Sequence, residues 1–214
     1  MLTAFFITDH DPSLLINGVY DPFLVALSVL TAIFSAFFAT YMIDLAKETR
    51  FKSYQKLANS TASLVLSGGI WSMHFIGMLA FSLCTNISYD PTLTFLSFIP
   101  AFLACLTGVS LLVKNNATIC SLILPSVLLG AGIGTMHYSG MAAMELSPLL
   151  RYDPLMFGLS IIVAVVLAFI SLYARFNIKK HLPTLNSLQT RLISATILGF
   201  AVAGMHYMGM AATR

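Results

Sequence analysis

The sequence predicts an all-α integral membrane domain. It has six transmembrane helices, arranged as three parallel two-helix repeats around a pseudo-threefold axis. Three observations lead there. Of 214 residues, 58% are hydrophobic and only 9% charged, where a soluble domain carries about 25% charged residues. So little charge cannot clothe a soluble surface, and so much apolar matter excludes intrinsic disorder. The few charges divide the chain into six long uncharged runs, and two short motifs each recur three times.

The uncharged runs are 22–43, 57–89, 91–113, 115–144, 154–174 and 192–213, each of at least 21 residues. A helix needs about 20 apolar residues to cross a hydrocarbon core roughly 30 Å thick, so each run is long enough for one span. A strand of a membrane barrel would alternate polar and apolar residues, and residues 161–170 show no such alternation. Thr85, Asn86 and Ser88, and Asn115 and Asn116, mark where the two longest runs leave the lipid. Lys47, Arg50, Lys52, Lys56, Lys114, Arg175, Lys179, Lys180 and Arg191 fall in alternate loops, against Arg151 and Arg214 on the other side. This nine-to-two bias reads as positive-inside. It places the N-terminus and residue 214 on the extracytoplasmic side of a bacterial inner (cytoplasmic) membrane. The basic loops read as orientation signals, so no nucleic-acid partner is expected. Residues 1–19 carry no basic signal-peptide region and read as an extracytoplasmic lead-in, with Asp9, His10 and Asp11 in water. Cys84, Cys105 and Cys120 have neither paired nor CxxC spacing, which indicates no disulfide framework and no zinc ribbon.

The remaining 20–214 form one domain of three repeats, about 20–88, 89–151 and 152–214. Tyr-Asp-Pro occurs at Tyr20-Asp21-Pro22, Tyr89-Asp90-Pro91 and Tyr152-Asp153-Pro154. Met-His-aromatic-x-Gly-Met occurs at 73–78, 136–141 and 205–210. Tyrosine and histidine are separated by 54, 48 and 54 residues. Asp-Pro opens each odd-numbered span and the histidine motif lies near the far end of each even-numbered one. The unit is a helical hairpin used three times in one orientation.

The three motif copies, above all Trp71-Ser72-Met73-His74-Phe75-Ile76-Gly77-Met78-Leu79-Ala80, resemble the MHYT family of bacterial integral-membrane sensor domains. The resemblance covers nearly the whole chain. It implies an inner-membrane domain that binds copper through its His and Met residues and senses oxygen, carbon monoxide or nitric oxide. It also implies a cytoplasmic signalling domain or partner protein, often a cyclic-di-GMP synthase or hydrolase or a kinase, which this chain does not include.

The residues themselves point to metal chemistry. A titratable side chain inside a membrane is costly to place there and marks a functional candidate. Positions i and i+4 stack one helical turn apart, pairing His74 with Met78, His137 with Met141 and His206 with Met210. These six are the candidate metal ligands. Imidazole with thioether is a borderline-to-soft set that suits copper, particularly Cu(I); haem and zinc are the alternative cofactors. Met73, Met136 and Met205 point about 100° away from the histidines and read as a second layer or as packing. Gly77, Gly140 and Gly209, with small residues five and seven positions before each histidine, read as helix-packing positions. Phe75, Tyr138 and Tyr207 read as interfacial or packing aromatics, or as hydrogen-bond donors that orient the imidazoles. Trp71 either covers the site or packs in the core. Asp21, Asp90 and Asp153 read as helix caps before a first-turn proline, with a hydrogen bond to histidine as the alternative. No nucleophile–base pair, P-loop or zinc-protease motif occurs, so an enzyme is not expected. The expected function is a sensory domain in contact with the lipid bilayer, with a diatomic gas as candidate ligand. The alternative is a copper or small-solute transporter, or a haem-binding membrane protein.

Overall fold

The computed structural model describes residues 19–82, 88–114, 118–145 and 151–213. The lead-in through residue 18 and residue 214 lie outside the described residues. In chain order the elements are β1 (Val19–Tyr20), α1 (Pro22–Glu48), α2 (Lys52–Leu79), β2 (Phe81–Ser82), β3 (Ser88–Tyr89), α3 (Pro91–Leu96), α4 (Phe98–Lys114), α5 (Ile119–Ala142), β4 (Met144–Glu145), α6 (Pro154–His181) and α7 (Ser187–Ala211). Six helical spans of 23 to 28 residues are apolar and long enough to cross a membrane.

Each Asp-Pro pair starts its helix in the same way. The Asp21 carboxylate accepts from the N–H groups of Phe23 and Leu24, Asp90 from Leu93, and Asp153 from Leu155 and Met156. The proline one residue on has no N–H to leave unsatisfied in that first turn. The N–H of each Asp in turn donates to the carbonyl of Ala80, Ala143 or Ala212, at 2.9, 2.8 and 2.8 Å. That bond folds each repeat's Tyr-Asp-Pro back onto the end of its own histidine helix. The residues beside it form the short antiparallel pairs β1–β2 and β3–β4 and the single bridge Tyr152–Thr213.

The three histidine helices α2, α5 and α7 stand inside and the Asp-Pro helices outside. Over an 18-residue apolar stretch of each span, 56%, 50% and 56% of residues are buried in the inner helices, against 33%, 33% and 28% in the outer ones. Each inner helix packs on its own repeat's outer helix and on the next repeat's, with α7 closing the ring on α1. Small residues make both contacts close. A side chain at Gly69 would run into Ser35 and one at Gly132 into Ala104, both on the same repeat's outer helix. A side chain at Gly130 would strike the backbone of Val165, and one at Gly199 that of Ile33, both on the next repeat's.

One expected helix is broken. The run 91–113 divides at Ser97 into α3 and α4. Pro100 has no N–H to donate to the Leu96 carbonyl and its ring crowds that carbonyl. The Thr94 carbonyl is instead satisfied by the Ser97 hydroxyl at 2.7 Å and the Trp71 indole N–H at 3.1 Å.

Candidate metal centre

His74, His137 and His206 lie six residues before the capping residues Ala80, Ala143 and Ala212, about 9 Å inside the helix ends at 1.5 Å per residue. Since three helices of one orientation carry them at one depth, they meet. The three imidazoles are buried, none more than 1% exposed. Their Nδ1 atoms form a triangle with edges of 3.1 Å (His74–His137), 3.1 Å (His74–His206) and 3.2 Å (His137–His206). Neighbouring rings stand nearly perpendicular, at 84° to 90°, like blades of a propeller. Among the described residues none pairs with the three Nε2 atoms.

A neutral imidazole has one N–H and one lone pair, each directed outward in the ring plane. Three Nδ1 atoms aimed at one point cannot all be satisfied by each other. Three lone pairs lack a proton, three N–H groups lack an acceptor, and with mixed tautomers at least one of the three edges sets like against like. A cation at the common point satisfies all three at once. The centre of a triangle with these edges is about 1.8 Å from each corner, close to the 2.0–2.1 Å of a metal–imidazole bond. The three buried histidines are thus close enough together to bind one metal ion.

Above and below the triangle the threefold pattern continues. One turn toward the Tyr-Asp-Pro end, Met78, Met141 and Met210 are buried in a cluster with Met144 and Tyr152. One turn the other way stand Ile70, Ile133 and Val202, and a turn further Leu66, Leu129 and Leu198, all at most 4% exposed. Met73, Met136 and Met205 are also fully buried and belong to this larger core. The imidazoles therefore sit between a thioether layer and an aliphatic plug.

The motif aromatics are half-buried between repeats. The Tyr138 hydroxyl donates to Ser160 Oγ and the Tyr207 hydroxyl to Ser28 Oγ, both at 2.9 Å. These serines pass their own protons to the carbonyls of Phe157 and Val25. Each motif ring also packs on the tyrosine of the next repeat: Tyr207 on Tyr20, Phe75 on Tyr89 and Tyr138 on Tyr152. Outside the spans, burial holds the phenols of Tyr20, Tyr89 and Tyr152 above their ordinary pKa, so they remain neutral donors. Trp71 is taken up by the helix break, stacked on Phe95 and tilted against Phe75. The carboxylates of Asp21, Asp90 and Asp153 are occupied by helix N–H groups.

Sequence reasoning passed over several participants that carried a signal. Serine stands seven residues after each Asp, as Ser28, Ser97 and Ser160, and alanine six residues after each motif histidine. The Ile/Val and Leu layers recur four and eight residues before it. All are visible once the repeats are superposed.

Six spans enclosing a buried ring of imidazoles define a multi-pass membrane domain with a candidate metal centre. The chain belongs to the MHYT family, described as a bacterial signalling protein N-terminal repeat, whose profile matches residues 68–124 and 130–186, and it is a multi-pass inner-membrane protein. It is 38% identical over 91% of its length to the bifunctional diguanylate cyclase/cyclic di-GMP phosphodiesterase MucR of Pseudomonas aeruginosa, 28% of which it covers. It is 32% identical over 94% of its length to the cyclic di-GMP phosphodiesterase NbdA of the same organism, covering 25%. It is 33% identical over 92% of its length to the signalling protein YkoW of Bacillus subtilis, covering 24%. The chain thus spans about a quarter of the length of these relatives. No solved structure matches it significantly.

Proposed function

We propose that the domain is a membrane-embedded sensor. It holds a metal ion, copper by preference, on the Nδ1 atoms of His74, His137 and His206, and Met78, Met141 and Met210 supply soft donors one turn away. The observation that carries this reading is the triangle of converging Nδ1 atoms, in which no choice of neutral tautomers makes all three edges hydrogen bonds. Three imidazoles suit zinc as well, but the neighbouring thioether layer favours copper. Edges near 3.1 Å leave no room for a porphyrin between the rings, which counts against haem. The aliphatic plug beneath the site offers a permeating ion no further ligand, which counts against a transporter.

When bound, copper supplies a redox centre with affinity for diatomic gases. The residues hold it, exclude water and join the three inner helices at one point, so a change in its state is a change in how these helices pack. The domain, residues 20–214 as three hairpin repeats, then senses O2, CO or NO, or redox or copper state, and passes the signal across the inner membrane. The receiver is a cytoplasmic signalling domain or a partner protein, in line with the signalling names of the relatives. The charge bias of the loops supports a centre in the outer leaflet, with the N-terminus and residue 214 extracytoplasmic.

Purified protein reconstituted with Cu(I) should retain about one equivalent by elemental analysis and show no Soret band. The triple variant H74A/H137A/H206A should retain none. Uptake well below one equivalent, or equal uptake by the triple variant, overturns the reading.

A further inference from the structure

The contacts of the motif glycines are not with their own histidines. A Cβ on Gly77 would lie 2.4 Å from Nε2 of His206. One on Gly140 would lie 2.5 Å from Nε2 of His74, and one on Gly209 2.3 Å from Nε2 of His137. The relation is cyclic: each repeat's glycine faces the ring of the repeat before it. In each case the atom against the glycine is the ring nitrogen that does not face the axis.

We propose that Gly77, Gly140 and Gly209 are positioning residues of the metal centre, each holding another repeat's imidazole with Nδ1 toward the axis and Nε2 against bare helix backbone. The inference rests on the metal-site reading above. Nδ1 lies nearer the main chain than Nε2 does. Ligation through Nδ1 therefore requires the three inner helices to approach more closely than ligation through the ring tip would. That approach leaves the far edge of each ring overlapping the next helix, and only a residue without a side chain admits it.

The tolerance is narrow. At a bond length of 2.1 Å, the longest nitrogen–nitrogen edge that one ion can span symmetrically is about 3.6 Å, against 3.1–3.2 Å here. That is a slack of about 0.5 Å. An alanine methyl at 2.3–2.5 Å from Nε2 must gain about 1 Å to reach ordinary contact distance, which begins at 3.4 Å. The ring must leave the triangle to make that room. Gly204, in the same helix as His206 and Gly209, would meet nothing within 4 Å and has no such role.

The test uses the full chain, with histidine nitrogens read by NMR in the metal-free and Cu(I)-loaded protein and Cu(I) affinity by chelator competition. All three wild-type rings should be ligated through Nδ1, with protonated Nε2. G140A should perturb His74, 66 residues away in sequence, more than His137 on its own helix. It should weaken Cu(I) binding by about 10- to 100-fold, the range seen when groups supporting a ligand are lost. G204A should bind as wild type does. A metal-free arm stands apart from copper chemistry: any loss of thermal stability in G140A should vanish in the H74A background, where removing the ring makes space for the methyl. Ligation through Nε2, wild-type affinity in G140A, or a stability loss that persists in H74A/G140A would overturn the proposal. Wild-type protein that takes up no copper overturns the metal reading, and the H74A/G140A comparison then decides the glycine–ring contact by itself.

Discussion

At the Tyr-Asp-Pro end of the molecule the same contacts are made three times over. Three Asp caps, three Asp-to-Ala backbone bonds, three serine-to-carbonyl bonds and three glycine–imidazole contacts follow the repeat. At the basic end, among the described residues, no side-chain polar contact between repeats recurs. Asp44 on α1 accepts from Arg175 on α6 and, at 2.7 Å, from Arg191 on α7, pinning repeat 1 to repeat 3. Arg191 also lies over the Tyr41 ring, and Lys47 over the Phe176 ring. The position of Arg191 is held by Asn59 in repeat 1, which donates to Ser110 at 2.7 Å, and by Leu122 in repeat 2. One site on the axis needs three equivalent surroundings, so divergence is restrained near it. Far from the axis, each seam between repeats is free to find its own solution.

If that contrast holds, the largest stability effect belongs at the basic end. D44A leaves two guanidinium groups, each about 15% exposed, without their carboxylate. Breaking such a pair costs about 3–5 kcal/mol. Thermal melting of D44A should fall accordingly while Cu(I) stoichiometry is kept; an unchanged melting temperature would show that Asp44 does not hold the seam. The converse effect belongs to the single variants H74A, H137A and H206A. Each removes one corner of the same triangle, so each should weaken Cu(I) binding by about 100-fold, near 2.7 kcal/mol. Values for the three that differ by more than about tenfold would break the threefold equivalence. The smallest effects sharpen the one local exception. Y138F and Y207F lose a hydroxyl-to-serine bond and should cost about 0.6 kcal/mol each, the size typical of hydrogen bonds between membrane helices. F75Y restores the hydroxyl carried at this position by Tyr138 and Tyr207, with Ser97 at the matching serine position, and should be neutral or gain about as much; a clear loss would mean that the Trp71–Thr94 contact has taken over that space.

How much of this was legible in the chain depended on range. The six spans followed from charge-free length, and the order of hairpins from two motifs, because hydropathy and repetition need no knowledge of partners. The Asp-Pro starts were legible for the same reason: a cap involves three or four neighbouring residues. The helix break at Ser97 was not anticipated, although Pro100 was in plain view. Proline is tolerated in membrane helices when neighbours make up for the interrupted turn, and here the Thr94 carbonyl of that turn is met by Trp71, on another helix. The six candidate ligands were found from the helical period, but that period says only which side of a helix a residue occupies. It placed His74 and Met78 together on one face and could not tell that the imidazoles would form one layer and the thioethers another.

The sequence by itself therefore determined the membrane class, the three hairpins, the caps and the alignment of one histidine stripe per repeat. All of these rest on local composition and on a helical period that is independent of context. The tertiary structure alone decided which ring nitrogen faces the axis, which glycine meets which histidine, and that Asp44 finds arginines 131 and 147 residues away. Those outcomes depend on the rotation of each helix about its own axis and on how closely helices approach. Both are settled by mutual packing of side chains that are distant in the chain.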